Sequence, residues 1–206
     1  NPQDIFLKWL NPKNKKTYTW SETSQNIYKF ASSLKKYLKN GDRCLLLSEN
    51  RPEWLIADIA IMMTNSITVP AYTTYTENDY RYLIEDCQPS VIIVSNNELH
   101  KKIKNIIKEK NFIKKVISFE KIEDVDLIEK YIDFNSIIAN DLLENDKIKN
   151  FNLKRNSPAC IIYTSGTGGN PKGVILSHGG ILNNCNGGLS IVKPLIDKKP
   201  IFLTWL

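Results

Sequence analysis

Short apolar runs alternate with amphipathic stretches along the first half of the chain. Four of these runs have the length of a strand, at residues 44–47, 67–69, 91–94 and 116–119. Strands separated by helices of this length indicate βαβ units, in which a crossover helix joins two parallel strands. Continuous apolar runs are also typical of parallel strands, because both faces of such a sheet are covered. The pattern therefore predicts an α/β fold with a largely parallel sheet and helices on both faces.

Residues at the ends of the amphipathic stretches predict where the helices begin and stop. Ser21 is a residue type that caps helix N-termini, and Gly41 suits the end of the same helix. Pro52 suits the first turn of a second helix. Thr76 and Asp79 resemble a capping box that opens a third helix.

A fourth, lysine-rich helix is predicted around residues 99–110. Its apolar face would cover the sheet, and His100 is expected on the charged, exposed face. The alternative is that this helix lies on an anionic membrane surface.

Residues 120–154 are acidic with apolar residues at helical spacing, and they predict a connecting helix without chemistry of its own.

The second half of the chain contains two further runs of strand length, at residues 159–162 and 174–176. Both are expected to be well packed, and a polar connection joins them. Glycine lets a backbone approach an anion closely, while hydroxyl groups and lysine supply donors and positive charge. The connection is rich in these residue types and therefore suits a polyphosphate. The candidate nucleotide-binding residues are Thr164, Ser165, Gly166, Thr167, Gly168, Gly169 and Lys172.

The order of these residues separates the connection from two common nucleotide-binding loops. A Walker A loop ends in Gly-Lys-Ser/Thr, whereas Lys172 follows Pro171 and precedes Gly173. A Rossmann fingerprint needs a third glycine that is missing at the required place. By residue type alone, a flexible turn is the alternative to an anion site.

Residues 163–173 resemble the phosphate-binding signature of the adenylate-forming, or AMP-binding, superfamily of acyl-CoA synthetases, luciferases and non-ribosomal peptide adenylation domains. The usual pattern there is Tyr-Thr-Ser-Gly-Thr-Thr-Gly-x-Pro-Lys-Gly-Val, followed shortly by Ser-His or Thr-His. The chain matches every position except Gly168, where the family most often has threonine. Residues 50–54 and 69–72 are similar to acyl-CoA synthetases, and residues 202–206 to their long-chain branch.

The resemblance implies a fragment of an ATP-dependent long-chain fatty-acid CoA ligase. Such an enzyme joins a carboxylate to ATP, giving an acyl-adenylate, and then transfers the acyl group to coenzyme A. Magnesium ion, Mg2+, accompanies the ATP, and Thr164 is implied as a contact of the metal. Residues 1–206 would form a partial amino-terminal adenylation domain, with the catalytic lysine and the adenine, ribose and acyl sites beyond Leu206.

Three other functions remain open from the residues. The chain could be a stand-alone nucleotide-binding or interaction module without catalysis. It could belong to another carboxylate-adenylating enzyme, or to a phosphotransferase or NTPase with an unusual loop. The missing initiator methionine and the apolar last residues favour a fragment of a longer protein.

Composition narrows the expected partners and compartment. The net charge is +6, but the lysines are dispersed over helix faces and turns, so no nucleic-acid partner is expected. No apolar run is long enough to span a bilayer, and the start resembles no secretory signal. The cysteines are Cys44, Cys87, Cys160 and Cys185, and they show no Cys-x-x-Cys spacing. This predicts reduced thiols in a cytoplasmic protein. Peripheral contact with a membrane surface remains open.

For several aromatic and histidine side chains, packing or a helix start is an expected role. Trp54 and the tyrosines at positions 72, 75, 80 and 82 are expected to pack rather than to stack on a base, since no basic groove is interleaved with them. Tyr163 is likewise expected to be a packing residue. His178 matches a family position, but it could equally be the first residue of the next helix.

Overall fold

The computed structural model places most of the chain in alternating strands and helices. It describes residues 1–11, 15–123, 127–140, 153–164, 170–196 and 201–204. The strands are β1 (Ile5–Trp9), β2 (Lys16–Thr19), β3 (Arg43–Leu47), β4 (Ile67–Ala71), β5 (Val91–Val94), β6 (Lys115–Ser118), β7 (Tyr131–Asp133), β8 (Pro158–Thr164) and β9 (Lys172–Ser177). The helices are α1 (Trp20–Leu34), α2 (Pro52–Met63), α3 (Glu77–Cys87), α4 (Asn97–Glu109), α5 (Phe134–Ala139) and α6 (His178–Ile196), with a 3₁₀ turn at Ile128–Lys130.

Seven of the described strands form one sheet, in the order β7-β6-β5-β3-β4-β8-β9. All neighbours pair in parallel except β8 and β9, which pair antiparallel. Helices α2, α3 and α4 link successive parallel strands, because such strands need a crossover connection. Strands β1 and β2 form a separate antiparallel pair. The predicted α/β fold with a largely parallel sheet is therefore confirmed.

Helices cover both faces of this sheet, as the sequence predicts. On one face, α1, α2 and α5 bury Phe30, Ile56 and Phe134 against side chains of β3, β5 and β6. On the other face, α3 and α4 bury Tyr80 and Ile103 against the remaining side chains of the strands. Because strand side chains alternate between the two faces, one continuous apolar run supplies both cores.

The start of α1 differs from the prediction, since its N-cap is Thr19 and not Ser21. The Thr19 hydroxyl accepts a hydrogen bond from the Glu22 N–H at 3.1 Å, and the Glu22 carboxylate accepts one from the Thr19 N–H at 2.8 Å. This reciprocal capping box satisfies two backbone donors and fixes the helix start before Ser21. The starts predicted for α2, at Pro52, and for α3, at the Thr76–Asp79 capping box, are confirmed.

The end of α1 also differs from the prediction. The helix ends at Leu34, well before Gly41. Gly41 lies in the following turn with a φ of +80°, a left-handed conformation that glycine adopts at little cost. The glycine therefore marks the turn into β3 and not the helix end.

The stretch predicted as a connecting helix contains a strand, so that prediction is wrong in its first part. Strand β7 pairs in parallel with β6, with Ile132 opposite Ile117, and the six-residue helix α5 follows it. Aromatic and β-branched side chains favour a strand wherever a sheet edge is available to pair with. Residues 124–126 and 141–152 of the predicted helix lie outside the described residues.

His100 is buried, and the expectation that it is exposed is wrong. The residue is 1% exposed, and its Nε2 atom lies 2.6 Å from the Tyr131 hydroxyl oxygen. Positions 100, 103 and 107 follow the i, i+3, i+7 spacing of one helix face, which places His100 beside Ile103 and Ile107. That face of α4 packs on the sheet, as predicted for the apolar residues of this helix.

Strand β9 is less packed than the sequence predicts. Val174, Ile175 and Leu176 are 45%, 62% and 40% exposed. The strand lies at the edge of the sheet, where β8 is its one neighbour among the described strands. An edge strand has fewer neighbouring side chains to cover it, so an apolar sequence alone does not ensure burial.

Within the part of the chain that the structure describes, no helix combines the length and apolar character needed to cross a bilayer.

A buried ion pair joins the β1–β2 hairpin to the main sheet. The Arg51 Nε atom lies 2.9 Å from a Glu53 carboxylate oxygen, and Lys16 Nζ lies 2.9 Å from the other oxygen. The Arg51 guanidinium also contacts Glu120 at 2.7 Å and lies over the Trp9 ring, 4.6 Å from its centroid. Burial acts to raise the pKa of Glu53, but the hydrogen bonds and charges of Arg51 and Lys16 leave that pKa below its usual value.

We expect Arg51→Ala to lower the free energy of unfolding by about 3 kcal/mol, because it leaves the buried Glu53 carboxylate without its main partner. Urea unfolding of the protein measures this change. Lys101→Ala is the matched control, since Lys101 pairs with Glu98 while both side chains are mostly exposed. That control should lower the free energy of unfolding by less than about 1 kcal/mol. Equal losses for the two variants would contradict the structural role given to Arg51.

Candidate functional site

Two of the predicted site residues face each other across a hairpin. Thr164 is the last residue of β8, Lys172 is the first residue of β9, and the two are direct partners in the antiparallel pairing. Direct partners project their side chains from the same face of the sheet, with Cβ atoms about 5 Å apart. Both residues are exposed. The structure thus brings a hydroxyl and an ammonium group together at the hairpin end.

The other predicted site residues belong to the connection between these two strands. They lie outside the described residues, and their roles stay predictions. They are Ser165, Gly166, Thr167, Gly168 and Gly169.

Lys172 carries a positive charge that the described surroundings leave available. Among the described residues, no hydrogen bond or ion pair involves its ammonium group. A lysine ammonium is a compact charge with three donors, and it binds phosphate oxygens through charge-assisted hydrogen bonds. Lys172 is therefore able to hold an anion placed at the hairpin end.

Gly173 allows the two strands to pack closely beside the predicted loop. It lies opposite Tyr163 in the pairing. A Cβ atom at position 173 would lie 2.8 Å from Ile161 Cγ2 and 3.3 Å from Tyr163 Cζ. The first distance is shorter than van der Waals contact allows, so a larger residue would displace Ile161 or the strand. Close packing against Ile161 and Tyr163 therefore explains why the last position of the signature is a glycine.

Tyr163 and Tyr82 connect the hairpin to helix α3. The Tyr163 hydroxyl donates a hydrogen bond to the Asp86 carboxylate, and the Tyr82 hydroxyl donates one to the Pro171 carbonyl oxygen at 3.0 Å. Burial, together with the hydrogen bond to Asp86, raises the pKa of Tyr163, so its hydroxyl stays protonated at neutral pH. Tyr163 is 5% exposed and packs in the core under α3 and α4, as predicted.

The sequence pattern predicts only packing for Tyr82 and assigns no role to Asp86. The spacing of the two residues, four positions apart in one helix, does place them on the same helix face. This spacing indicates that Tyr82 and Asp86 act at the same surface of α3. The local sequence does not indicate which distant segment that surface contacts.

His178 does not join Thr164 and Lys172. It is the first residue of α6, at the far end of β9, and the six-residue length of that strand separates it from Lys172 by roughly 20 Å. Burial lowers the pKa of His178, and its Nε2 atom has no hydrogen-bond partner among the described residues. The structure therefore favours the expectation that this histidine begins a helix.

The described residues provide little for a metal ion by themselves. Within the described ranges, no group of three or more His, Cys, Asp and Glu side chains is arranged to hold one. Mg2+ commonly takes only one or two oxygen ligands from a protein and the others from phosphates and water. The exposed Thr164 hydroxyl fits such a role as a single oxygen ligand beside a bound polyphosphate.

Two concave regions of the described surface lie away from this hairpin. One, of about 620 Å³, lies around Trp20 near the start of the chain, and the other, of about 290 Å³, lies beside Lys101 and Glu123. Neither includes Thr164 or Lys172.

The chain is similar in sequence to curated long-chain acyl-CoA synthetases. The chain is 27% identical to long chain acyl-CoA synthetase 3 of Arabidopsis thaliana, with 91% of the chain and 30% of the relative covered. It is 30% identical to the long-chain-fatty-acid–CoA ligase ACSBG2 of Mus musculus, with 83% and 26% covered. The chain thus spans less than a third of the length of these relatives.

A solved structure with the same fold is the acetoacetyl-CoA synthetase from Streptomyces lividans. It superposes with a TM-score of 0.70 over 82% of this chain and 27% of that one, at 19% sequence identity. At this identity the likeness concerns the fold. The family model described as AMP-binding enzyme matches residues 1–206. The chain therefore belongs to the AMP-binding enzyme family.

Proposed function

We propose that the full-length protein is an ATP-dependent ligase that activates a long-chain fatty acid and transfers it to coenzyme A. In this proposal, residues 1–206 are part of the adenylation domain and contribute its phosphate-binding hairpin. The names of the relatives support the reaction class and the acyl group. The observation that carries the proposal is the pairing of Thr164 with Lys172 at the end of the β8–β9 hairpin.

The chemistry of the first half-reaction explains why such a hairpin is useful. A carboxylate oxygen of the fatty acid forms a bond to the α-phosphorus of ATP. The bond between the α-phosphorus and the oxygen that links it to the β-phosphorus breaks. The products are the acyl-adenylate and pyrophosphate. Negative charge therefore builds on the departing pyrophosphate. Positively charged groups and donors fixed at that place stabilise the transition state more than the bound substrate.

Lys172 and the hydroxyl and amide groups of the connection would supply this stabilisation. Lys172 would contact the β- or γ-phosphate through its ammonium group, while glycines at 166 and 169 would let backbone N–H groups approach the phosphates. Thr164 would offer its hydroxyl oxygen to Mg2+, which, when bound, neutralises part of the phosphate charge. In the second half-reaction, the coenzyme A thiolate attacks the acyl carbonyl carbon and AMP leaves.

We expect Lys172→Ala in the full-length protein to lower the rate of adenylation by about 10²–10³-fold, as loss of one preorganised donor typically does. Fatty-acid-dependent pyrophosphate release measures the rate. Lys154→Ala is the matched control, because Lys154 is also exposed but precedes β8 at the opposite end of the hairpin. Circular dichroism of both variants should match that of the unchanged protein. An unchanged rate of pyrophosphate release in Lys172→Ala would refute the role proposed for this lysine.

We expect Gly168→Thr to tighten ATP binding by about two- to tenfold, because it adds one hydroxyl donor where the family most often has threonine. Equilibrium binding of ATP to the full-length protein measures this change. The KM for the fatty acid serves as the internal control and should stay the same. If ATP affinity is equal in the two proteins, the glycine at this position is neutral for phosphate contact.

A further inference from the structure

Helix α3 contacts β8 and the residue that precedes β9, beside the candidate site. From this geometry we propose that Tyr82 and Asp86 are positioning residues that set the place of Lys172 relative to Thr164. This inference rests on the function proposed above, since it concerns how the phosphate-binding groups are held.

Two hydrogen bonds from α3, called tethers below, attach on opposite sides of the Thr164–Lys172 pair, one at Tyr163 within β8 and one at Pro171 on the loop side of Lys172. The Tyr82 hydroxyl donates to the carbonyl oxygen of Pro171, and the Asp86 carboxylate accepts from the Tyr163 hydroxyl. Pro171 and Tyr163 each stand next to a site residue, Lys172 and Thr164 respectively. Helix α3 therefore holds the chain at the residue before each of the two groups that would contact the nucleotide.

The tether at Pro171 acts directly on the backbone of Lys172. The carbonyl oxygen of Pro171 and the nitrogen of Lys172 belong to one planar peptide unit. A hydrogen bond to that oxygen consequently restricts the orientation of the whole unit, and with it the direction in which the Lys172 side chain leaves the strand.

The strand that carries Lys172 needs such a restraint. Strand β9 lies at the edge of the sheet and pairs only with β8 among the described strands. Its apolar side chains Val174, Ile175 and Leu176 are 40–62% exposed, so little packing holds the strand in place. Segments with few buried contacts open more easily than the core. Tyr82 supplies an additional fixed point at the beginning of this strand.

Helix α3 is a rigid support for both tethers. Leu83, Ile84 and Cys87 are buried on its sheet-facing side, and the Thr76–Asp79 capping box fixes its first turn. Tyr82 itself is partly buried against the same core. Since a group misplaced by about 1 Å can lower a reaction rate about 10²-fold, a rigid support of this kind affects catalysis without contacting the substrate.

The first test removes one hydroxyl from the full-length protein. Tyr82→Phe should lower kcat/KM for ATP in the adenylation reaction about tenfold, as expected for one lost positioning hydrogen bond, and leave the KM for the fatty acid unchanged. Tyr80→Phe is the matched control, because Tyr80 lies on the same helix and its hydroxyl donates to the Tyr72 carbonyl at 2.6 Å, away from the hairpin. This control should lower thermal stability and keep adenylation within twofold of the unchanged protein.

A double variant tests whether Tyr82 acts through Lys172. If it does, Tyr82→Phe combined with Lys172→Ala should be no slower than Lys172→Ala alone, because the positioned group is already missing. A further tenfold loss in the double variant would overturn the inference while leaving the phosphate role of Lys172 intact. An unchanged rate in Lys172→Ala alone would overturn the proposed function, and this inference with it.

Substitutions at Asp86 test the second tether. Asp86→Asn keeps an oxygen that accepts from the Tyr163 hydroxyl and should retain most of the kcat/KM for ATP. Asp86→Ala removes the acceptor and leaves a buried hydroxyl without its partner, and should lower that value about tenfold. Equal activity of the Asn and Ala variants, or an effect of Tyr80→Phe as large as that of Tyr82→Phe, would show that α3 contributes general stability only and would overturn the inference.

Discussion

The register between β8 and β9 decides how Thr164 and Lys172 lie relative to each other. With Thr164 opposite Lys172, Tyr163 lies opposite Gly173 and the Tyr163 ring enters the core under α3. A slip of β9 by one residue would turn its side chains to the other face of the sheet. Lys172 would then no longer face Thr164, and Gly173 would no longer lie opposite Tyr163. Burial of Tyr163 and the small size of Gly173 both stabilise the observed register.

The parallel sheet supports this hairpin through both strand pairing and helix packing. Strand β8 pairs with β4, and the cores on the two faces of the sheet bury the helices that link the strands. Helix α3 belongs to this packing and also bonds to the hairpin through Tyr82 and Asp86. The same element therefore stabilises the sheet and orients the groups beside the proposed nucleotide site.

The two upstream segments that resemble acyl-CoA synthetases have structural explanations in this chain. Arg51 and Glu53 form a buried ion pair that connects the β1–β2 hairpin to the sheet. The Tyr72 carbonyl, just after β4, accepts the hydrogen bond of the buried Tyr80 hydroxyl. Both segments lie on the scaffold, so their similarity to the family reflects how the fold is built and not only its chemistry.

The sequence pattern alone predicts the alternation of strands and helices and the starts of α2 and α3. These features depend on apolar spacing, on Pro52 and on a capping box, all of which act over a few residues. The edge pairing of residues 131–133, the exposure of β9 and the hydrogen bond from Tyr82 to Pro171 depend instead on tertiary contacts. Partners separated by 89 positions meet because helices and strands pack around a common sheet, and no local pattern specifies that meeting.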